Sequence, residues 1–145
     1  MALHRLANST RLRRRAIGLV VAAGAGSVLA LAAALNPDGR GHGTHEQLGL
    51  PACGWAIALD APCPTCGMTT SWSFATAGDP VTAAATQPAG FLLALAAAAA
   101  VAGGLHAALS GAATGKMFRP LLSGPGLWTG VGLLVLAWVY KMMAW

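Results

Sequence analysis

The sequence predicts an all-α integral membrane protein: three transmembrane helices plus a short interfacial helix that follows a CxxC knuckle. Three observations carry this. The 145-residue chain is 56% hydrophobic and only 9% charged, against about 25% charged residues in an ordinary soluble domain. Its apolar residues fall into three runs of about the length of a bilayer core. Basic and aromatic residues collect at the ends of those runs, as they do in membrane interfaces.

Residues 1–15 form a basic segment with Arg5, Arg11, Arg13, Arg14 and Arg15. This is the flank of a cytoplasmic helix end, and it gives no support to nucleic-acid binding despite the net charge of +5. Residues 16–35 carry no charge, and twenty helical residues span the ~30 Å hydrocarbon core. A cleaved signal peptide is the rival reading, with Ala30, Ala32 and Ala34 as small residues near a cleavage point. The run exceeds the usual ~7–15 residues of a signal peptide, so an uncleaved first helix is expected. Asn36-Pro37-Asp38-Gly39 stops it with turn chemistry.

Residues 36–87 read as one loop segment on the far side. Gly39 to Gly43 looks flexible, with His42 and His45 nearby, and Leu48 to Asp60 is more apolar, with Cys53 and Trp55. Cys63-Pro64-Thr65-Cys66-Gly67 is the knuckle. Met68 to Ala77 predicts a short interfacial helix, with Trp72 at headgroup depth. Asp79 and Pro80 suit the N-cap and first position of a further helical turn, and Thr86-Gln87-Pro88 opens the second span.

Residues 88–109 form the second span, almost all Ala and Leu, with His106 near its inner end. His106 is either an intramembrane functional group or a neutral interface histidine. Residues 110–126 make the inner loop with Lys116 and Arg119, and 127–145 the third span, with Trp128 at one end and Tyr140, Lys141 and Trp145 at the other. Ala94 with Ala98, and Gly126 with Gly130, are spaced for close helix approach.

Placing the N-terminus inside puts seven of the nine Lys and Arg residues inside and leaves only Arg40 and Lys141 outside. All four acids (Asp38, Glu46, Asp60, Asp79) and all three cysteines then fall in the outer segment. The expected location is the bacterial cytoplasmic (inner) membrane with the knuckle on the extracytoplasmic side. The expected partners are the lipid bilayer and another membrane protein or a second copy, and not nucleic acid.

In a CxxC turn two sulfurs face one point, and the following helix N-terminus favours thiolate. Four readings stay open, one of them a scaffold or partner-binding role in which the knuckle only shapes a surface. Cys53, Cys63 and Cys66 can hold zinc or another thiophilic metal, with His45 or His42 as a fourth ligand, since Cys₃His is a known zinc set. They can instead form a structural disulfide on the oxidising side, with one thiol left over. Or Cys63 and Cys66 can exchange disulfides as a membrane thiol oxidoreductase. No nucleophile–base pair, phosphate loop or cofactor fingerprint supports hydrolase or transferase chemistry, so a non-enzymatic subunit is the favoured class and no catalytic residue is assigned.

Cys53, the run Cys63-Pro64-Thr65-Cys66-Gly67-Met68-Thr69-Thr70-Ser71, Gly78-Asp79 and Gln87-Pro88 in the place of an Asn-Pro resemble a family of small bacterial membrane proteins. That family is catalogued as a domain of unknown function, number twenty-seven fifty-two. The resemblance runs from about Leu48 to Trp145 and implies membrane location and about three helices, with no settled activity. Many members have Arg where this chain has Thr70.

Overall fold

The computed structural model describes residues 2–113, 119, 120 and 123–145, with the backbone only for 2–8. Two contributors to the inner charge count, Lys116 and the Arg5 side chain, lie outside the described residues. The element order is α1 (Ala2–Ala33), a 3₁₀ turn (Thr44–Leu48), α2 (Gly54–Leu59), α3 (Met68–Thr76), α4 (Pro80–Thr86), α5 (Pro88–Ser110) and α6 (Gly124–Met143). No strand occurs among the described residues. Ser9–Ala33, Pro88–Ser110 and Gly124–Met143 are long and apolar enough to cross a membrane.

α1 is longer than its apolar run because arginines are good helix formers and carry the helix through the basic segment. It stops just short of Asn36-Pro37, where the proline disfavours helical backbone in the residue before it. Its partner is α5, and the two touch through backbone. A Cβ on Gly18 would fall 2.6 Å from the Gly104 carbonyl oxygen, and one on Gly104 would fall 2.7 Å from that of Gly18. Ala22, Ala94 and Ala107 are buried, so small residues allow the approach. Arg15 Nε donates to the Ala108 carbonyl at 2.7 Å and Arg11 to that of Ser110 at 3.3 Å. The basic flank of α1 thereby serves carbonyls that the end of α5 leaves without helical partners. Ala98 and Gly130, members of the two small-residue pairs noted in the sequence, are exposed.

The short helices cover one end of this pair. Asp79 caps α4 by accepting from the Thr82 N–H at 2.9 Å, with Pro80 at the first position. Ser71 Oγ donates to the Ala83 carbonyl at 2.8 Å, and this fixes α3 across α4. α6 joins at its C-terminal end, where Trp138 and Lys141 donate to the loop carbonyls of Pro62 and Gly41, and Tyr140 and Lys141 to the α4 carbonyls of Ala85 and Thr86. Between α5 and α6 lies an apolar cleft of about 230 Å³ lined by Leu92, Leu133, Leu136 and Ala137.

Burial is inverted relative to a soluble domain. Thr44, Thr70, Ser71, Ser73 and Gln87 are almost wholly enclosed, while leucines and valines along the three long helices are exposed. An apolar exterior around enclosed polar groups is the arrangement a lipid solvent favours.

Candidate metal centre

Cys53, Cys63 and Cys66 come from two local settings that the fold brings to one point. Cys53 is the N-cap of α2. Cys63 and Cys66 close a turn in which the Cys66 N–H donates to the Cys63 carbonyl at 2.9 Å. Gly67 follows with φ of 82° and caps α3. A side chain there would meet both that left-handed backbone and the Gly41 carbonyl oxygen, 2.5 Å from the position of a Cβ. Only glycine suits the position, and it brings the 36–49 loop down onto the knuckle.

The three sulfurs all lie within 4.8 Å of one another. Two thiolates on one zinc at ~2.3 Å each stand about 3.8 Å apart in tetrahedral geometry. A contraction of about 1 Å or less would therefore bring three sulfurs onto one ion. The sulfurs face a cavity of about 360 Å³, shared with His42, His45, Glu46 and Met68.

The knuckle is held from behind by neutral hydrogen bonds. Gln87, fully buried, donates through Nε2 to the Pro64 carbonyl at 3.3 Å, and Trp138 Nε1 donates to that of Pro62 at 2.9 Å. Thr65 Oγ1 lies 3.4 Å from Cys63 Sγ. Thr70 is fully buried and receives the Thr44 hydroxyl at 2.8 Å, while Thr44 in turn accepts from the Asp38 N–H.

The thiols differ in electrostatic setting. Cys66 is buried, and its pKa is pushed up to about 11 by desolvation and then by its neighbours Cys63 and Cys53, with Lys141 opposing. Cys53 is held below the ordinary thiol value, first by the Ala56 N–H at the start of α2, against the opposing effect of burial. A thiolate is thus easiest to form at the helix cap and hardest at the back wall.

The two histidines expected as fourth ligands line the same cavity but stand apart from the sulfur cluster. His42 Nδ1 lies 3.1 Å from the Arg40 carbonyl oxygen, and its ring packs on Trp145 with centroids 4.7 Å apart. His45 Nε2 lies 3.1 Å from the Pro51 carbonyl oxygen. Each ring therefore has one nitrogen engaged by backbone and one remaining. The glycine-rich stretch between them is tied down by the buried Thr44, which composition alone does not reveal. His106 lies on an exposed face of α5, away from the cluster.

Lys141 is the buried residue behind the site that the sequence reading missed. Read there as an interface anchor, it is 6% exposed, and its Nζ donates to the Gly41 and Thr86 carbonyls at 3.1 and 3.2 Å. The available signal was a single lysine inside the final apolar run, since an ionisable group in such a segment is a functional candidate by default.

Residues 53–101 match the model of the family described as "Protein of unknown function (DUF2752)", the family whose motif the cysteine segment resembles. The match covers all three cysteines, Thr70, Asp79 and Gln87, and it leaves His42, His45 and Lys141 outside. No curated protein and no solved structure matches the chain.

Proposed function

We propose that this protein is a small non-enzymatic membrane subunit that holds one thiophilic metal ion through Cys53, Cys63 and Cys66. It acts at the extracytoplasmic face of the bacterial inner membrane, together with a second membrane protein or a second copy. One observation carries the reading: the sulfurs of the CxxC turn and of Cys53, ten residues before it, converge within 4.8 Å of each other around an accessible cavity. Thiolate sets favour zinc, copper(I) and iron–sulfur centres. The remaining coordination position opens on the cavity, where a free nitrogen of His45 or His42, or water, completes the shell.

Thiol exchange by Cys63 and Cys66 is less well supported. Cys66 is buried and its thiol is pushed up to about 11, whereas an exchanging thiol works best with a pKa near ambient pH and an open approach.

The test is metal content per chain by elemental mass spectrometry, after purification in mild detergent without chelator. About one thiophilic ion per chain is expected, lost in Cys53→Ser, Cys63→Ser and Cys66→Ser alike. A metal-free chain with one disulfide and one leftover thiol would overturn the reading in favour of a structural bridge. Activity lost with Cys63→Ser or Cys66→Ser but kept with Cys53→Ser would favour thiol exchange.

A further inference from the structure

A buried ammonium with no acid beside it is an anomaly. Desolvating a charge is costly, and buried lysines are normally paired. Lys141 is buried, and among the described residues it has no carboxylate within ion-pair distance. Its two hydrogen bonds go to neutral carbonyls of Gly41 and Thr86. Glu46, the acid that lines the cavity, is engaged by Arg40 at 3.3 Å.

The ammonium sits against the back of the cysteine cluster. A Cβ on Gly67, the residue after Cys66, would lie 3.4 Å from Lys141 Nζ. Trp138, one helical turn earlier, bonds the carbonyl of Pro62, the residue before Cys63. The C-terminal end of α6 therefore places one lysine amine directly behind the knuckle.

We infer that Lys141 is the built-in counter-cation of the cysteine site and that it fits the site to a divalent thiophilic ion. The inference rests on the metal reading above and names the class of ion. Three thiolates, one ammonium and one divalent cation sum to zero charge, so the loaded site is neutral where it is least hydrated. As the ion enters, the three S–H protons leave to water and three metal–sulfur bonds form. A monovalent ion on the same three thiolates leaves a net negative charge even with Lys141 in place. Lys141 touches no metal; it is a positioning residue that acts through its charge on Cys66 and its neighbours.

The experiment compares zinc(II) and silver(I) binding to the full chain in detergent, by competition with a chelator for each ion. Lys141 faces a loaded site of charge about −1 for zinc and about −2 for silver, so its removal acts about twice as strongly, in logarithmic terms, on silver. Lys141→Met is expected to weaken zinc about tenfold and silver about a hundredfold, within the range for residues that support a metal shell. Lys141→Arg, which keeps the charge, is expected to stay within about threefold for both ions. Should the Met variant fail to fold, Lys141→Gln keeps a donor without the charge and is expected to show the same unequal loss. Equal losses for the two ions, as a distorted knuckle would give, or no loss at all, would overturn the inference while leaving the metal reading intact. An unaltered chain that binds neither ion would remove both.

Discussion

At the scale of single residues, the loop above the cysteines is ordered by a charge pair that titrates outside the physiological range. Asp38 accepts from Arg40 Nη2 at 2.7 Å and from the Arg40 backbone N–H at 2.9 Å. These bonds, the side-chain ones first, bring its pKa from 3.8 down to about 2. A carboxylate depressed in the folded state contributes order that is present above its unfolded value and lost as pH falls through the folded one. Amide protection at Gly41 and Glu46, whose N–H groups close turns in this loop, should therefore decline between about pH 4 and 2. Hydrogen exchange read by NMR checks this. In Asp38→Asn protection should be low throughout and lack that transition, and a flat wild-type profile would show that the pair does not hold the loop. The pair is exposed and solvent-screened, so the effect is local. The cysteines were legible in the sequence because their chemistry is carried by spacing. Lys141 and Thr44 were not, because their meaning comes from partners far away in the chain: Lys141 reaches Gly41 and Thr86, and Thr44 reaches Thr70.

At the scale of elements, the α1–α5 pair is the rigid platform on which the short helices rest, and its contact is set by glycine. Adding a methyl group at Gly18 or Gly104 meets backbone atoms at 2.6 and 2.7 Å. Backbone cannot rotate aside as a side chain can, so the helices must part. Overpacking of this kind costs about 1–3 kcal/mol, against a helix-propensity gain of up to about 1 kcal/mol for Gly→Ala. Gly18→Ala and Gly104→Ala should therefore destabilise, whereas Gly130→Ala, which meets open space, should be neutral or slightly stabilising. Unfolding in detergent, followed by helical circular dichroism, measures all three; a stabilised Gly18→Ala would show that the helices do not touch there. The three long helices were legible because length and apolarity suffice to define a span. The choice of glycine was not, because spacing alone gives Ala94 with Ala98 or Gly126 with Gly130 and says nothing of how each helix is rotated. Asp79 and Pro80 were legible down to their capping roles, since a cap is decided by residues within one turn.

At the scale of the whole molecule, charge is sorted by end. Arg11 and Arg15 lie against the C-terminal carbonyls of α5. Asp38, Glu46, Asp79 and the cysteine cluster gather at the other end, around the start of α5 and the end of α6. A lipid-facing exterior between two such ends leaves two orientations, and the basic end favours the cytoplasm. The argument is the stronger because these arginines are geometrically committed: two of them serve backbone carbonyls of α5 and cannot be relocated without exposing those groups. In the orientation proposed above, the C-terminal end of α6, and Lys141 with it, lies on the outer side. A phosphatase reporter fused after Trp145 should then be active in cells, and a fluorescent protein at the same place should be dark. A membrane-impermeant maleimide should label the half-buried Cys53 or Cys63 in intact cells, with loss of labelling after metal loading. The reverse pattern would put the cysteines in the reducing cytoplasm. The disulfide reading would then lose its oxidising environment, while the metal site and its buried counter-charge would stand, because both rest on internal geometry that no choice of side alters.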